Sequence, residues 1–98
     1  MFKSDQVKSK IIRNKIKELL IAVNSLNNLK EIEKFFYSLC TIYELEELSS
    51  RLMMAKLFFN KTPISELKEI FKNNSCTLAK VLSELNTNNN GYHLLFKK

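Results

Sequence analysis

The stretch TPISELKEIFKNNSCTLAKVLSELN, Thr62–Asn86, decides how this chain reads. Thr62-Pro63 has the form of an N-cap followed by proline at the first helical position, where the missing N–H costs nothing. Leu67, Ile70 and Phe71 then make the inward face of a short helix. Asn73-Asn74 suits a tight turn, because Asn tolerates the left-handed conformation better than other residues bearing a Cβ. Ser75 can cap a second helix, whose Leu78, Val81, Leu82 and Leu85 fall at i, i+3, i+4 and i+7. Two short helices joined by a turn of two or three residues have the form of a helix-turn-helix. The second helix then faces outward with Cys76, Thr77, Ala79, Lys80 and Ser83. Small and polar residues on such a face can approach base edges, and the helix N-terminus favours a phosphate. An ordinary helical hairpin would carry the same stripe and caps, so spacing alone leaves both readings open.

Working outward, Thr41 with Glu44 has the spacing of a capping box and opens a helix with the stripe Leu45, Leu48, Leu52, Ala55 and Phe59. Past Arg51 that helix is apolar nearly all round, with Leu52, Met53, Met54, Ala55, Leu57, Phe58 and Phe59. Such a helix is buried on every side, and in so short a chain a second copy is the expected cover. Asn28 with Glu31 is another capping box, ahead of Ile32, Phe35, Phe36 and Leu39 in a helix ending near Cys40. The first helix carries Ile12, Ile16, Leu19, Leu20 and Val23 at helical spacing, and Asn24 to Asn28 breaks the pattern. Ile11 and Ile21 fall outside its stripe, again more apolar surface than one neighbour covers. Downstream, an Asn86–Gly91 loop precedes a brief final helix with Tyr92, Leu94, Leu95 and Phe96.

Composition agrees with an all-helical domain. The 98 residues include one Gly and one Pro, too few turn formers for a β-sandwich or barrel and too few glycines for a nucleotide-binding loop. The net charge is +6, and residues 1–17 hold six basic side chains against Asp5 alone. This favours an anionic partner, nucleic acid before membrane. However, Lys supplies fourteen of the sixteen basic residues and Asn occurs eleven times, a bias that an AT-rich genome would also produce. The segment 3–17 therefore reads either as a solvated helix face or as an arm along the DNA backbone. Cys40 and Cys76 form no CxxC pair and, with His93 alone, make no zinc set, so reduced thiols in a cytoplasmic protein are expected. No apolar run spans a bilayer and no signal peptide is expected.

The run from Ser25-Leu26 through Phe35-Phe36, Leu39-Cys40-Thr41, Glu44-Leu45, Leu48, Arg51-Leu52 and Ala55-Lys56-Leu57 resembles the tryptophan repressor family, particularly its YerC/YecD-type branch of small bacterial proteins. Glu66-Leu67-Lys68, then Thr77, Leu78, Val81 and Leu85, then Asn86 and Gly91-Tyr92 complete the resemblance over residues 25–95. It implies a six-helix, all-α, intertwined homodimer that binds operator DNA through its helix-turn-helix. On that reading residues 1–98 form one domain, with dimerisation helices in 1–61, the helix-turn-helix in 62–86 and a tail in 87–98. Lys68, Ser75, Cys76, Thr77, Ala79, Lys80 and Ser83 are the candidate DNA contacts.

The departures from the family pattern carry weight too. Lys72, Asn73 and Asn74 stand where family members usually have Gly and Ala. In the tryptophan-responsive member the ligand sits between two arginines, with a Ser near the end of the recognition helix holding its amino acid group. Arg51 matches one arginine, Lys80 replaces the other, and Glu84 stands at the Ser. A Lys lacks the planar guanidinium that sandwiches an indole, and a carboxylate at 84 would repel the ligand's own. Thr41, Arg51, Lys80 and Glu84 are thus a possible effector pocket, with tryptophan not expected in it and no cofactor or metal implied.

Several of these residues also have a plainer role. Arg51 can pair with Glu47 at i−4, the cysteines can be small apolar fillers, and His93 can be a surface histidine. Cys76, near a helix N-terminus, could instead have a lowered pKa. Glu44, Glu46 and Glu47 suit the first turns of a helix rather than a metal. Nothing gathers a nucleophile, a base and an oxyanion donor, so an enzyme is not expected. Two functions remain: a homodimeric DNA-binding transcriptional regulator, or a protein-interaction module that keeps the fold without sequence-specific DNA binding. The latter is supported by a recognition helix with one Lys against Glu84 and no Arg for guanine.

Overall fold

The structure, a computed structural model, describes residues 2–87 and 90–96, with side chains from Gln6 onward. The described residues are all-α. Their order is α1 (Phe2–Asn24), α2 (Leu29–Leu39), α3 (Ile42–Phe59), α4 (Ile64–Ile70), a 3₁₀ turn (Lys72–Asn74), α5 (Ser75–Leu85) and α6 (Tyr92–Phe96). The chain forms two compact units, one up to Cys40 and one from Thr41. Part of the Asn86–Gly91 loop and the last two residues of the expected 87–98 tail lie outside the described residues.

The first unit holds α1 and α2. The Ser25 hydroxyl closes α1 by donating to Ala22 O at 2.7 Å. Asn28 caps α2 by accepting from Glu31 N at 2.9 Å. The return half of that box reaches one residue further back than its spacing suggests: Glu31 Oε1 accepts from Asn27 N at 2.9 Å. No described side chain of this unit is fully buried. Along α1 the stripe residues Ile12, Ile16 and Leu20, and Ile21 outside the stripe, are all more than half exposed, while Val23 near the end of the helix is half-buried.

The second unit is built on α3, against which α4, α5 and α6 all pack. Thr41 opens α3 with both halves of the expected capping box: Glu44 N donates to Thr41 Oγ1 at 3.1 Å, and Thr41 N donates to Glu44 Oε1 at 2.8 Å. The core consists of Met54 and Ala55 from α3, Leu67 from α4, and Leu78, Val81 and Leu85 from α5. Phe58, Phe59, Phe71, Tyr92 and Phe96 pack around it. The stripe of α5 lies where its periodicity places it.

Within one chain α3 is covered on one side only, by three short helices: Leu48, Leu52 and Met53 remain 43–50% exposed, on the helix for which a second copy is the expected cover. Ile70 also faces solvent, at 57%, at the end of α4, whose one buried residue is Leu67. Leu94 and Leu95 are exposed as well, leaving Tyr92, His93 and Phe96 to hold α6.

The joints depart from the sequence reading for local reasons. The left-handed residue is Lys61 (φ 65°), not an asparagine of the turn. It ends α3 in a Schellman motif, with Thr62 N donating to Leu57 O and Lys61 N to Phe58 O, each at 3.0 Å. That motif uses Thr62, so Pro63 rather than Thr62 occupies the cap position of α4. Asn74 N donates to Phe71 O at 2.8 Å, so the turn closes as 3₁₀ without a positive φ. The 3₁₀ turn runs straight into α5 and makes Ser75 helical (φ −61°, ψ −36°). Ser75 therefore does not cap α5; Asn74 holds the cap position and its side chain makes no capping bond.

Candidate functional site

The helix-turn-helix pair is fixed from beneath and open on top. Leu67 anchors α4 and Leu78, Val81 and Leu85 anchor α5, all nearly or fully buried. By helical spacing this leaves Cys76, Ala79, Lys80 and Ser83 on the opposite face, and all four are exposed. Lys68 is exposed on α4, and so is Ser75 at the start of α5. With no side-chain cap at Asn74, the first-turn N–H groups of α5 have no side-chain acceptor from the cap residue.

A groove of about 320 Å³ opens between α4 and α5, lined by Lys68, Lys72, Ser75, Leu78, Ala79 and Leu82. It brings together three of the sequence-selected residues, Lys68, Ser75 and Ala79. It also adds Lys72, which sequence reasoning noted only as an unusual turn residue. The signal was present, since Lys68 and Lys72 are four residues apart. Lys72 Nζ lies 3.7 Å from Glu69 Oε1, but both side chains are well exposed and such a pair holds little. Its charge remains available to an anion.

Thr77 departs from its expected role. It does not face outward: its hydroxyl donates to Glu47 Oε1 on α3 at 2.8 Å, in a partly buried contact across the two helices. The same Glu47 oxygen lies 3.5 Å from Arg51 Nε, the i−4 pair expected from the sequence. Arg51 Nε is enclosed and makes no hydrogen bond of good geometry. Glu47 was legible as the partner of Arg51 but not as the partner of Thr77, thirty residues away.

Of the other possible effector residues, Thr41 spends its hydroxyl on the cap of α3, while Lys80 and Glu84 are exposed one turn apart on α5. A second groove, about 360 Å³, is lined by Ser49, Leu52, Met53, Lys56 and Phe96. Neither groove takes a lining residue from Thr41, Arg51, Lys80 or Glu84.

Cys76 is an exposed free thiol and Cys40 a half-buried one. His93, read as a surface histidine, instead packs edge-on against Phe59 at 5.1 Å, with Nδ1 enclosed and unpaired. The Glu44 carboxyl is held below its ordinary pKa, first by the Thr41 N–H and then by the Thr41 hydroxyl. Among the described residues no three His, Cys, Asp or Glu side chains gather as a metal site, and no helix is long and apolar enough to cross a membrane.

The comparisons with known proteins agree with this geometry. The family model of the Trp repressor protein matches residues 14–98, which takes in the C-terminal part of α1 and every later helix. The uncharacterized protein YerC of Bacillus subtilis (strain 168) is 27% identical over 85 residues, covering 87% of this chain and 82% of that protein. No solved structure matches the chain. This all-α chain, matched by that family model over most of its length, belongs to the Trp repressor family, a family of DNA-binding regulators.

Proposed function

We propose that this protein is a cytoplasmic transcriptional regulator that binds duplex DNA as an intertwined homodimer, setting the two α5 helices in successive major grooves. The observation that carries the reading is the outward face of α5. Cys76, Ala79, Lys80 and Ser83 are exposed together, beside an uncapped helix N-terminus and a groove flanked by Lys68 and Lys72. Lys80 is the candidate for a base or phosphate contact, Ser83 and Ser75 for hydrogen bonds, and Ala79 for a thymine methyl. Lys68 and Lys72 suit the phosphate backbone, and the basic face of α1 adds non-specific attraction.

The homodimer reading is supported by apolar surface left open within one chain, on α1 at Ile12, Ile16, Leu20 and Ile21 and on α3 at Leu48, Leu52 and Met53. Single chains this small rarely leave such stripes uncovered. Residues 1–61 then serve dimerisation, 62–86 serve DNA and 87–98 form the tail, within one functional domain. Any effector of the pocket at Thr41, Arg51, Lys80 and Glu84 is not tryptophan.

The test is a titration with duplex DNA across a range of salt. Lys68→Ala is expected to weaken binding about equally for all sequences and to lower the salt slope by about one, whereas Lys80→Ala changes which sequences are preferred. Sedimentation equilibrium is expected to give twice the chain mass; a stable monomer refutes the homodimer. The interaction module is favoured by a specific observation, the absence of Arg from α5 and the diversion of Thr77 to Glu47. Binding that is weak and free of salt dependence would select that reading.

A further inference from the structure

We propose that Glu47 on α3 is the positioning residue that sets the rotation of the recognition helix, and with it DNA sequence preference, without touching DNA. This rests on the DNA-binding reading of α5 above.

The start of α5 has little local chemistry to orient it. Asn74 makes no capping bond, Ser75 is already helical, and the preceding turn has no side-chain bond at its own cap. The buried stripe of Leu78, Val81 and Leu85 holds α5 against the core, but apolar contacts are non-directional and leave some freedom of roll. A hydrogen bond does not. Thr77 lies on the flank between the buried stripe and the face of Cys76, Ala79, Lys80 and Ser83. Its hydroxyl meets the Glu47 carboxylate at 2.8 Å, the only hydrogen bond from an α5 side chain to another helix among the described residues.

Glu47 is itself held. Arg51, one turn along α3, places Nε 3.5 Å from the same oxygen, an ion pair without a hydrogen bond that counters the carboxylate's charge. A bond to an ionised acceptor is short and directional, so a hydroxyl on it resists rotation better than one on a neutral group. The negative charge also sits against the first turn of α5, the end of a helix that favours it. Arg51, Glu47 and Thr77 thus form a chain from α3 to the reading face.

The test compares the wild-type protein with Glu47→Ala, Glu47→Gln, Thr77→Val, Thr77→Ser and the Glu47→Ala/Thr77→Val pair. The probes are a random-sequence duplex pool and the duplex that the wild type enriches from it. Each variant is read for the ratio of the two affinities, the salt slope and the thermal midpoint. Glu47→Ala and Thr77→Val are each expected to lower the ratio about tenfold, and the pair by no more than either alone, as for directly coupled neighbours. Thr77→Ser retains the ratio, and Glu47→Gln, which keeps an acceptor oxygen, retains most of it. The salt slope stays unchanged, because no phosphate contact is lost.

A ratio lowered by Thr77→Val but not by Glu47→Ala overturns the proposal, since Thr77 would then contact DNA itself. So do losses that add in the pair, or a Glu47→Ala that weakens both probes equally as its midpoint falls. Wild-type binding with every variant at the wild-type ratio overturns the positioning role alone. A wild type that binds no duplex removes the DNA-binding reading, and this role with it.

Discussion

Asn90 is expected to be worth more to stability than its place in a loop suggests, and Asn90→Ala measures it. Its side chain bonds in both directions. Nδ2 donates to Glu84 O at 2.9 Å and Thr87 O at 3.0 Å, at the end of α5. Oδ1 accepts from Tyr92 N at 3.0 Å and His93 N at 3.3 Å, at the start of α6. One residue therefore closes one helix and opens the next. The α6 half acts as an N-cap, whose loss costs about 1 kcal/mol. The α5 half costs less per bond, because the Thr87 hydroxyl also serves Glu84 O at 2.7 Å and Thr87 is exposed to water. Taking about 0.5–1 kcal/mol for that half gives a total near 2 kcal/mol. Such a loss moves the thermal midpoint of a domain this size by roughly 10 °C.

Asn90→Asp separates the halves. It keeps acceptors for Tyr92 N and His93 N, with a charge that suits a helix N-terminus, but sets that charge against the two carbonyls. The expected order of stability is wild type, then Asp, then Ala. Urea unfolding at fixed protein concentration gives the magnitudes, and amide exchange at Tyr92 and His93 reports the α6 half directly. An Asn90→Ala protein within about 0.3 kcal/mol of wild type would refute the reasoning, as the clip would then hold nothing that water does not replace. Faster exchange at those two amides in the Asp variant than in the Ala variant would refute the division into halves.

Three further outcomes follow from the structure. Lys61→Gly is expected to stabilise the protein by up to about 1 kcal/mol in urea unfolding, because a side chain at φ 65° pays for its Cβ; a loss of stability would refute this. Glu44 has its folded pKa below its unfolded value, so its capping contribution is present above the unfolded pKa and disappears as pH falls through the folded one. Stability measured across that acid range is expected to fall more steeply for the wild type than for Glu44→Gln, and parallel curves would contradict it. Calorimetry with L-tryptophan is expected to give no saturable heat, while a clear isotherm would show that Lys80 and Glu84 do not exclude it.

The beginnings of α2 and α3 were written locally. The Thr41–Glu44 box and the Asn28 cap depend on groups three residues apart, so the sequence alone located α2 and α3. The stripe Leu78, Val81 and Leu85 likewise follows from helical period, and the resemblance carried by Phe35-Phe36 to Leu52 pointed to the family that the comparison confirms. What period does not contain is the width of a buried face or the identity of whatever lies against it. Ile70 and Thr77 each stand at the edge of a stripe: Ile70, expected inward, faces solvent, and Thr77, expected outward, is held on the flank by Glu47. The turn likewise closed through a 3₁₀ bond because Leu67 and Leu78 had to reach the same core, which removed the need for a left-handed asparagine and took the cap from Ser75. The bond from Thr77 to Glu47 joins residues thirty positions apart, and no spacing rule reaches that far. Local hydrogen bonding set where α2 and α3 start; the packing of α4 and α5 on α3 decided which side chains remain free to meet a partner.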